Sequence, residues 1–235
     1  MKIVILAAGI GSRLGNPFPK PLTPLKNGKS IMQMMIENIT AYFSIDDLLT
    51  VVGFKKNSIM ERFPEATYVY NPYFDTTNTS KSLLCALKKC RNQSVLWFNG
   101  DVVFDQSLLK ELQPYINKSQ SFVAVNTSSV ADEEVKYTLQ DGYIDKLSKE
   151  VKNGLGEAVG INFISSNDIN DFIKQLELCD NQDYFERGLE LIIEKNATKI
   201  EAVDISNFNC MEIDFKEDLE TVSYTHLTLP TICSV

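Results

Sequence analysis

Histidine is almost missing from this chain: 235 residues hold one, His226, and it lies in the final dozen. A body without imidazole disfavours Ser–His nucleophiles, a histidine base and most zinc chemistry. Cysteine is sparse. Cys85, Cys90, Cys179, Cys210 and Cys233 are odd in number and contain no CxxC pair, so neither a disulfide framework nor a zinc site is indicated, and buried free thiols are expected. No apolar run approaches the roughly 20 residues that cross a bilayer. No charged-then-apolar leader opens the chain, and a cytoplasmic protein without membrane insertion is the expectation. A basic excess is lacking too: 31 acidic against 23 basic side chains give a formal net charge of -8. The signs are interspersed, which argues against nucleic acid or an anionic membrane as the main partner. Any phosphate has to be met by local cations.

What is present begins at the first residues. The length suits one sizeable core, and near-average apolar (44%) and charged (23%) fractions make a globular domain the default. Lys2-Ile3-Val4-Ile5-Leu6 is a short, β-branched apolar run that passes straight into Ala7-Ala8-Gly9-Ile10-Gly11-Ser12-Arg13-Leu14. A buried strand therefore delivers a small-residue turn to a sheet edge, where Gly9 and Gly11 leave backbone N–H groups unshielded. Arg13 and Lys20, the latter followed by Pro21, set two permanent cations beside the same place. The stretch reads as a phosphate cradle. A dinucleotide fingerprint would put glycine where Leu14 stands and would close the second strand with an acid, and neither is found. A Walker loop is excluded, since Thr23 replaces the first glycine before Gly28-Lys29-Ser30 and Pro24 precedes it in place of a strand. A tight β-to-α turn without ligand stays open on spacing alone.

Downstream, strands and helices alternate as in a parallel α/β sheet. Ser30 with Gln33 makes a capping box, and Met32, Met35, Ile36, Ile39 and Phe43 share a helical face, a core stripe. Leu48–Val52 and Ala66–Tyr70 read as strands, with a short helix over Ile59–Phe63 between them. The polar run Asp75–Ser80 can cap a helix bearing Leu83, Leu84 and Leu87. Ser94–Phe98 is the next strand, and Asn99-Gly100-Asp101 follows where a parallel sheet opens its carboxyl edge to ligand. A carboxylate there, beside a phosphate cradle, suits Mg²⁺, which takes few protein oxygens and keeps waters and phosphates. Further on, Leu108–Ile116 reads as a helix, Phe122–Val125 as a strand and Val135–Leu147 as a hairpin about Asp141-Gly142. Ile169–Leu176 and Phe185–Ile193 are covering helices, and Lys199–Ile205 is β-like. Glu217 and Asp218 charge a helix N-terminus.

Leu6-Ala7-Ala8-Gly9-Ile10-Gly11-Ser12-Arg13-Leu14 with Pro19-Lys20-Pro21-Leu22 resembles the signature of the nucleotidyltransferases that activate sugar phosphates and phosphocholine. The similarity continues in pieces to about Val222. It implies a Rossmann-like, mixed but mostly parallel sheet sandwiched by helices, in one domain over 1–223 with a nucleotide half to about 130 and an acceptor half beyond. It implies that Leu6, Ala7, Ala8, Gly9, Gly11, Ser12 and Gly100 hold the nucleotide, with Arg13 and Lys20 on its phosphates. Asn78, Ser82 and Leu83 resemble the stretch, with Thr79, that meets the base in small cytidylyltransferases, although plain helix capping explains them equally. Lys149 before Gly-Glu-x-x-Gly-Ile (Gly156 to Ile161) is similar to the acceptor-side pattern, so that Lys149 meets a phosphate while Glu157 and Gly160 shape the acceptor pocket. Glu212–Leu219 resembles the second metal motif and carries Asp214 over as partner of Asp101 on Mg²⁺. Asp183, Tyr184 and Glu186 join acid to aromatic surface, which suits an amine-bearing acceptor, or else simply begin a solvated helix.

By this resemblance the partners are CTP, or another nucleoside triphosphate, and a small phosphomonoester such as phosphocholine, phosphoethanolamine or phosphoglutamine, handled by a monomer or homodimer in cell-surface polysaccharide synthesis. A sugar-1-phosphate nucleotidyltransferase using UTP, dTTP or GTP is the rival enzyme. A glycosyltransferase is disfavoured because Asn99-Gly100-Asp101 replaces Asp-x-Asp. A non-catalytic nucleotide sensor should lack one of Arg13, Lys20, Asp101 or Asp214, and none is missing. The segment Tyr224–Val235 departs from the family and resembles read-through of cloning or adapter DNA, so it is set aside as a non-native tail.

Overall fold

The computed structural model describes residues 1–11, 14–15, 17–128, 130–131, 133–195 and 198–225, the last three of these by backbone alone. Its elements run β1 (Lys2–Ala7), α1 (Ile31–Thr40), β2 (Leu48–Val52), α2 (Lys56–Arg62), β3 (Thr67–Tyr70), α3 (Thr79–Leu87), β4 (Val95–Asn99) and β5 (Val102–Phe104). They continue with α4 (Leu108–Asn117), β6 (Phe122–Asn126), β7 (Lys136–Gln140), β8 (Tyr143–Ser148), β9 (Glu157–Ile164), α5 (Ile169–Leu178) and α6 (Phe185–Glu194). β10 (Glu201–Asp204), β11 (Cys210–Glu212) and α7 (Lys216–Thr225) complete the described chain.

The main sheet has the order β10-β6-β9-β4-β1-β2-β3, with the β7–β8 hairpin attached through β9. β1 is an interior strand, parallel to both β2 and β4, and this is why every residue from Ile3 to Ala7 is buried. Its alternate side chains divide the core. Ile3, Ile5 and Ala7 pack with α1, α4 and Val222 of α7, while Val4, Leu6 and Ala8 pack with α3, α5 and α6. The architecture is thus the expected α/β sheet covered by helices on both faces, with β9 inserted antiparallel between β4 and β6.

Local signals in the sequence explain most boundaries. Ser30 Oγ accepts the Gln33 amide at 3.2 Å and starts α1, whose Met32, Met35 and Ile39 are buried. Asp141 and Gly142, at φ 52 and 84, turn the β7–β8 hairpin, since both central residues of such a turn need positive φ. Asp218 Oδ2 accepts the amides of Asp214 and Phe215 and closes the start of α7, the role expected of an acid there. Two short strands have no sequence forecast: β5 and β11 pair antiparallel in a small ladder of their own. The thiol expectation needs correction in part. Cys90 and Cys179 are buried, Cys85 and Cys210 only half so, all free, and Cys233 lies outside the described residues. No helix among the described residues is long and apolar enough to cross a membrane.

Candidate active site

The carboxyl ends of β1 and β4 meet because Leu6 is registered against Asn99. Ala7 and Ala8 lead to Gly9 and Ile10, both exposed, and to Gly11 at φ +64, so an open small-residue turn stands at the edge. A side chain on Gly11 would also strike Cβ of Lys20 at 2.8 Å. Glycine is thus required twice over: for its left-handed backbone and for the lysine stem that lies against it. Ser12 and Arg13, two of the residues expected on the phosphates, lie outside the described residues.

Lys20 is delivered by a one-turn helix, Lys20–Leu22, whose Pro21 is buried. Pro21 lies against Gly100, where a Cβ would meet the Leu6 carbonyl oxygen at 2.4 Å and the proline ring at 3.2 Å. Only glycine lets β1, the proline turn and the end of β4 come this close, and the contact puts Lys20 beside Asp101. The small ladder supplies the rest. β11 pairs with β5, the Ile213 amide donates to the Asp101 carbonyl at 3.0 Å, and Asp214 arrives opposite Asp101. Lys20 Nζ then donates to Asp101 Oδ2 and to Asp214 Oδ1, each at 2.6 Å. Burial alone lowers the proton affinity of this ammonium, but the two carboxylates outweigh it and raise the pKa, so the cation is permanent.

Asp101 Oδ1 is buried without a hydrogen-bond partner. Two carboxylates converging on one positive centre, one with an unused oxygen, form a donor set that fits a hard divalent cation. Among the described residues no group of three or more carboxylate or thiol side chains encloses such an ion, which leaves further positions to phosphate and water. Asn99 Nδ2 also donates to Glu212 Oε1 at 2.8 Å. Burial, and then the charge of Asp101, push the Glu212 carboxyl well above the usual carboxylate range. Gly160 makes the room for this pair. It sits at φ +69 where the β6–β9 register shifts, and a Cβ there would lie 2.4 Å from Glu212 Oε1 and 2.8 Å from Asn99 Nδ2.

Lys149 Nζ lies 5.1 Å from the centre of the Tyr184 ring, and Tyr184 is 43% exposed. Trp97 of β4 stacks on Phe172 and meets Phe185 edge-on, fixing the start of α6 and with it Tyr184 and Glu186. Glu186 Oε2 is buried without a partner. Burial pushes its carboxyl up to about 7, against its own amide and the Lys149 charge. Glu134 is raised by burial and by Glu157, with Lys149 opposing and Asp214 adding, so these charges share one neighbourhood. Glu157 itself accepts the Ala131 amide at 2.9 Å and anchors the loop that carries Glu134.

Other expected site residues are occupied structurally. Asn78 Oδ1 accepts the Thr79 amide at 2.8 Å and starts α3, the capping role. Thr79 Oγ1 accepts from the Phe185 amide and Ser82 Oγ from Asn71, so the segment binds α3 to α6 and to the end of β3. Asp183 Oδ2 accepts the Asp180 amide at 2.7 Å and closes the α5–α6 turn. Asn99, Glu134 and Glu212 belong to the site without having been singled out. Glu212 could have been noticed two residues before Asp214, whereas nothing local marks Glu134.

Over 48% of its length the chain is 35% identical to the CMP-5'-(3-aminopropyl)phosphonate synthase of Streptomyces rubellomurinus, of which it spans only 19%. It is 27% identical to the CTP:phosphoglutamine cytidylyltransferase of Campylobacter jejuni, over 94% of this chain and 98% of that one. The fold superposes on the CTP:phosphocholine cytidylyltransferase of Streptococcus pneumoniae with a TM-score of 0.76, at 18% identity and over 95% and 97% of the two chains. Residues 3–161 match the family model for the MobA-like NTP transferase domain, and the chain belongs to that family.

Proposed function

We propose that the protein is a cytidylyltransferase that moves CMP from CTP to a small amine-bearing phosphomonoester and releases pyrophosphate. The observation that carries this is the meeting, at one sheet edge, of a glycine turn, a permanent cation and a carboxylate pair with a second group of side chains in which Lys149 and Tyr184 stand among Glu134, Glu157 and Glu186. The first half suits a triphosphate. The second presents acid and an aromatic face, surfaces that attract an ammonium group rather than a ring of sugar hydroxyls. The similarity to the phosphoglutamine and aminopropylphosphonate enzymes points the same way, toward CTP and acceptors that carry nitrogen.

In this reading the Gly9–Gly11 turn cradles the triphosphate with its amides, and Lys20 neutralises the phosphates nearest the reacting atom. Arg13 would meet the departing pyrophosphate. Asp101 and Asp214 would hold Mg²⁺, which when bound screens phosphate charge and polarises the α-phosphorus for attack. Lys149 steers the acceptor phosphate, while Tyr184 and Glu186 hold its amine end. No protein base is needed, because a phosphomonoester with a second pKa near 6 is already largely ionised at pH 7. Alignment and charge neutralisation remain as the protein's contribution.

The purified chain with Mg²⁺ should be offered CTP against UTP, dTTP and GTP, together with phosphocholine, phosphoethanolamine, phosphoglutamine and glucose 1-phosphate, and scored for pyrophosphate and adduct mass. CTP with an amine-bearing acceptor should exceed glucose 1-phosphate with UTP or dTTP by about tenfold or more, roughly 1.4 kcal/mol in the transition state. Faster use of the sugar phosphate would refute the acceptor class and leave the cradle and carboxylate pair standing.

A further inference from the structure

We propose that the Lys20 ammonium is the resident counter-ion of the Asp101–Asp214 pair in the free protein, that it competes with the divalent metal for those oxygens, and that an incoming triphosphate relieves the competition. This rests on the assignment of the two carboxylates to the metal made above.

Lys20 Nζ lies 2.6 Å from an oxygen of each carboxylate, at the short end of charge-assisted hydrogen bonds, so one cationic centre bridges both. Its side chain is only 12% exposed, and those of Asp101 and Asp214 are 21% and 27% exposed, so solvent cannot easily supply a replacement charge. A divalent cation held by the same two carboxylates would set a second positive charge beside the ammonium, and the two cations would repel at close range. The root of Lys20 is fixed, by buried Pro21 on one side and by Gly11 packed against its stem on the other. Its tip keeps several rotatable bonds. Gly11 belongs to the turn where a triphosphate would lie, so a small swing of the tip carries the charge from the carboxylates to the phosphates and vacates the metal position. Metal and nucleotide then assist each other through one side chain, and the assistance is reciprocal.

The test uses Mn²⁺ alone, without nucleotide, and reads free Mn²⁺ by electron paramagnetic resonance. Lys20→Met should bind Mn²⁺ at least about tenfold more tightly than the native chain, an advantage equal to roughly 1.4 kcal/mol. Lys149→Met, which removes another cation from the same charged neighbourhood, controls for bulk charge and should change the affinity far less. Lys20→Gln serves if the methionine variant does not fold. In the native protein, ¹⁵N spectra of lysine ammonium groups should show a protected, hydrogen-bonded Nζ signal that shifts on saturation with Mg²⁺. Equal tightening in the Lys20 and Lys149 variants, or an Nζ signal unmoved by saturating Mg²⁺, overturns the proposal. If Asp101→Asn binds Mn²⁺ as well as the native chain does, the metal assignment itself fails. Loss of binding in Asp101→Asn without tightening in Lys20→Met refutes the competition alone.

Discussion

Glu186 should make the stability of this protein fall as pH rises toward neutrality. Its carboxyl is pushed up to about 7 from an ordinary 4.5, first by burial, with Glu134 and Glu190 adding and Lys149 opposing. The folded state therefore keeps a proton that the unfolded chain has already released. Stability from this group is fully present below about pH 4.5 and is lost as pH rises through about 7. The difference corresponds to a ceiling of roughly 3 kcal/mol, because part of the side chain reaches solvent and ionisation is cheaper there. Glu186→Gln removes the titration and keeps the shape. At pH 8.5 the variant should be more stable than the native protein by up to that amount, a rise of about 6–12 °C in Tm for a chain of this size. At pH 4.5 the two should be nearly equal. Calorimetry or urea unfolding at both pH values reads the effect directly. Parallel pH dependences, with the gap unchanged from 4.5 to 8.5, would refute the buried carboxyl. If the carboxylate also holds the amine end of the acceptor, KM for such an acceptor should fall as pH passes 7, and Glu186→Gln should abolish that dependence.

Asp101→Asn and Asp214→Asn should each lower Mg²⁺-dependent turnover by about 10²–10³-fold with the fold retained, since each removes a charge and leaves the shape; near-normal rates in either would remove that residue from the metal site. Gly160→Ala forces an L side chain to φ +69 and into Glu212 at 2.4 Å, and should cost about 1–3 kcal/mol in urea unfolding, with a weaker acceptor KM. An unchanged midpoint would mean that β9 shifts freely there. α7 runs to Thr225 and so takes in Tyr224 and Thr225, the first two residues of the segment set aside as a tail. Truncation after Thr225 should leave both Tm and turnover intact, and loss of turnover in a folded product would show that the removed residues contribute.

Local signals were enough for much of this molecule. The unbroken apolar run of β1 announced a strand buried on both faces, the Ser30 cap and methionine stripe announced α1, and Asp141-Gly142 announced a hairpin, because each depends on neighbours within a few residues. The open glycine turn and the charge of Lys20 are legible for the same reason: amide exposure and charge are properties of the residues themselves. What the sequence could not contain is the pairing of distant segments. β5 and β11, three residues each, are too short to carry a period, yet their ladder brings Asp214 to Asp101 across more than a hundred residues. That Lys20 lies between the two carboxylates follows from Pro21 packing on Gly100, and the environments of Glu186 and Glu212 follow from burial, which no run of neighbours dictates. Asn78, Thr79 and Ser82 show the converse. Their types served base recognition and helix capping equally, and only the approach of α6 decided where their hydrogen bonds go, since an oxygen already accepting a backbone amide is fixed by whichever chain delivers that amide.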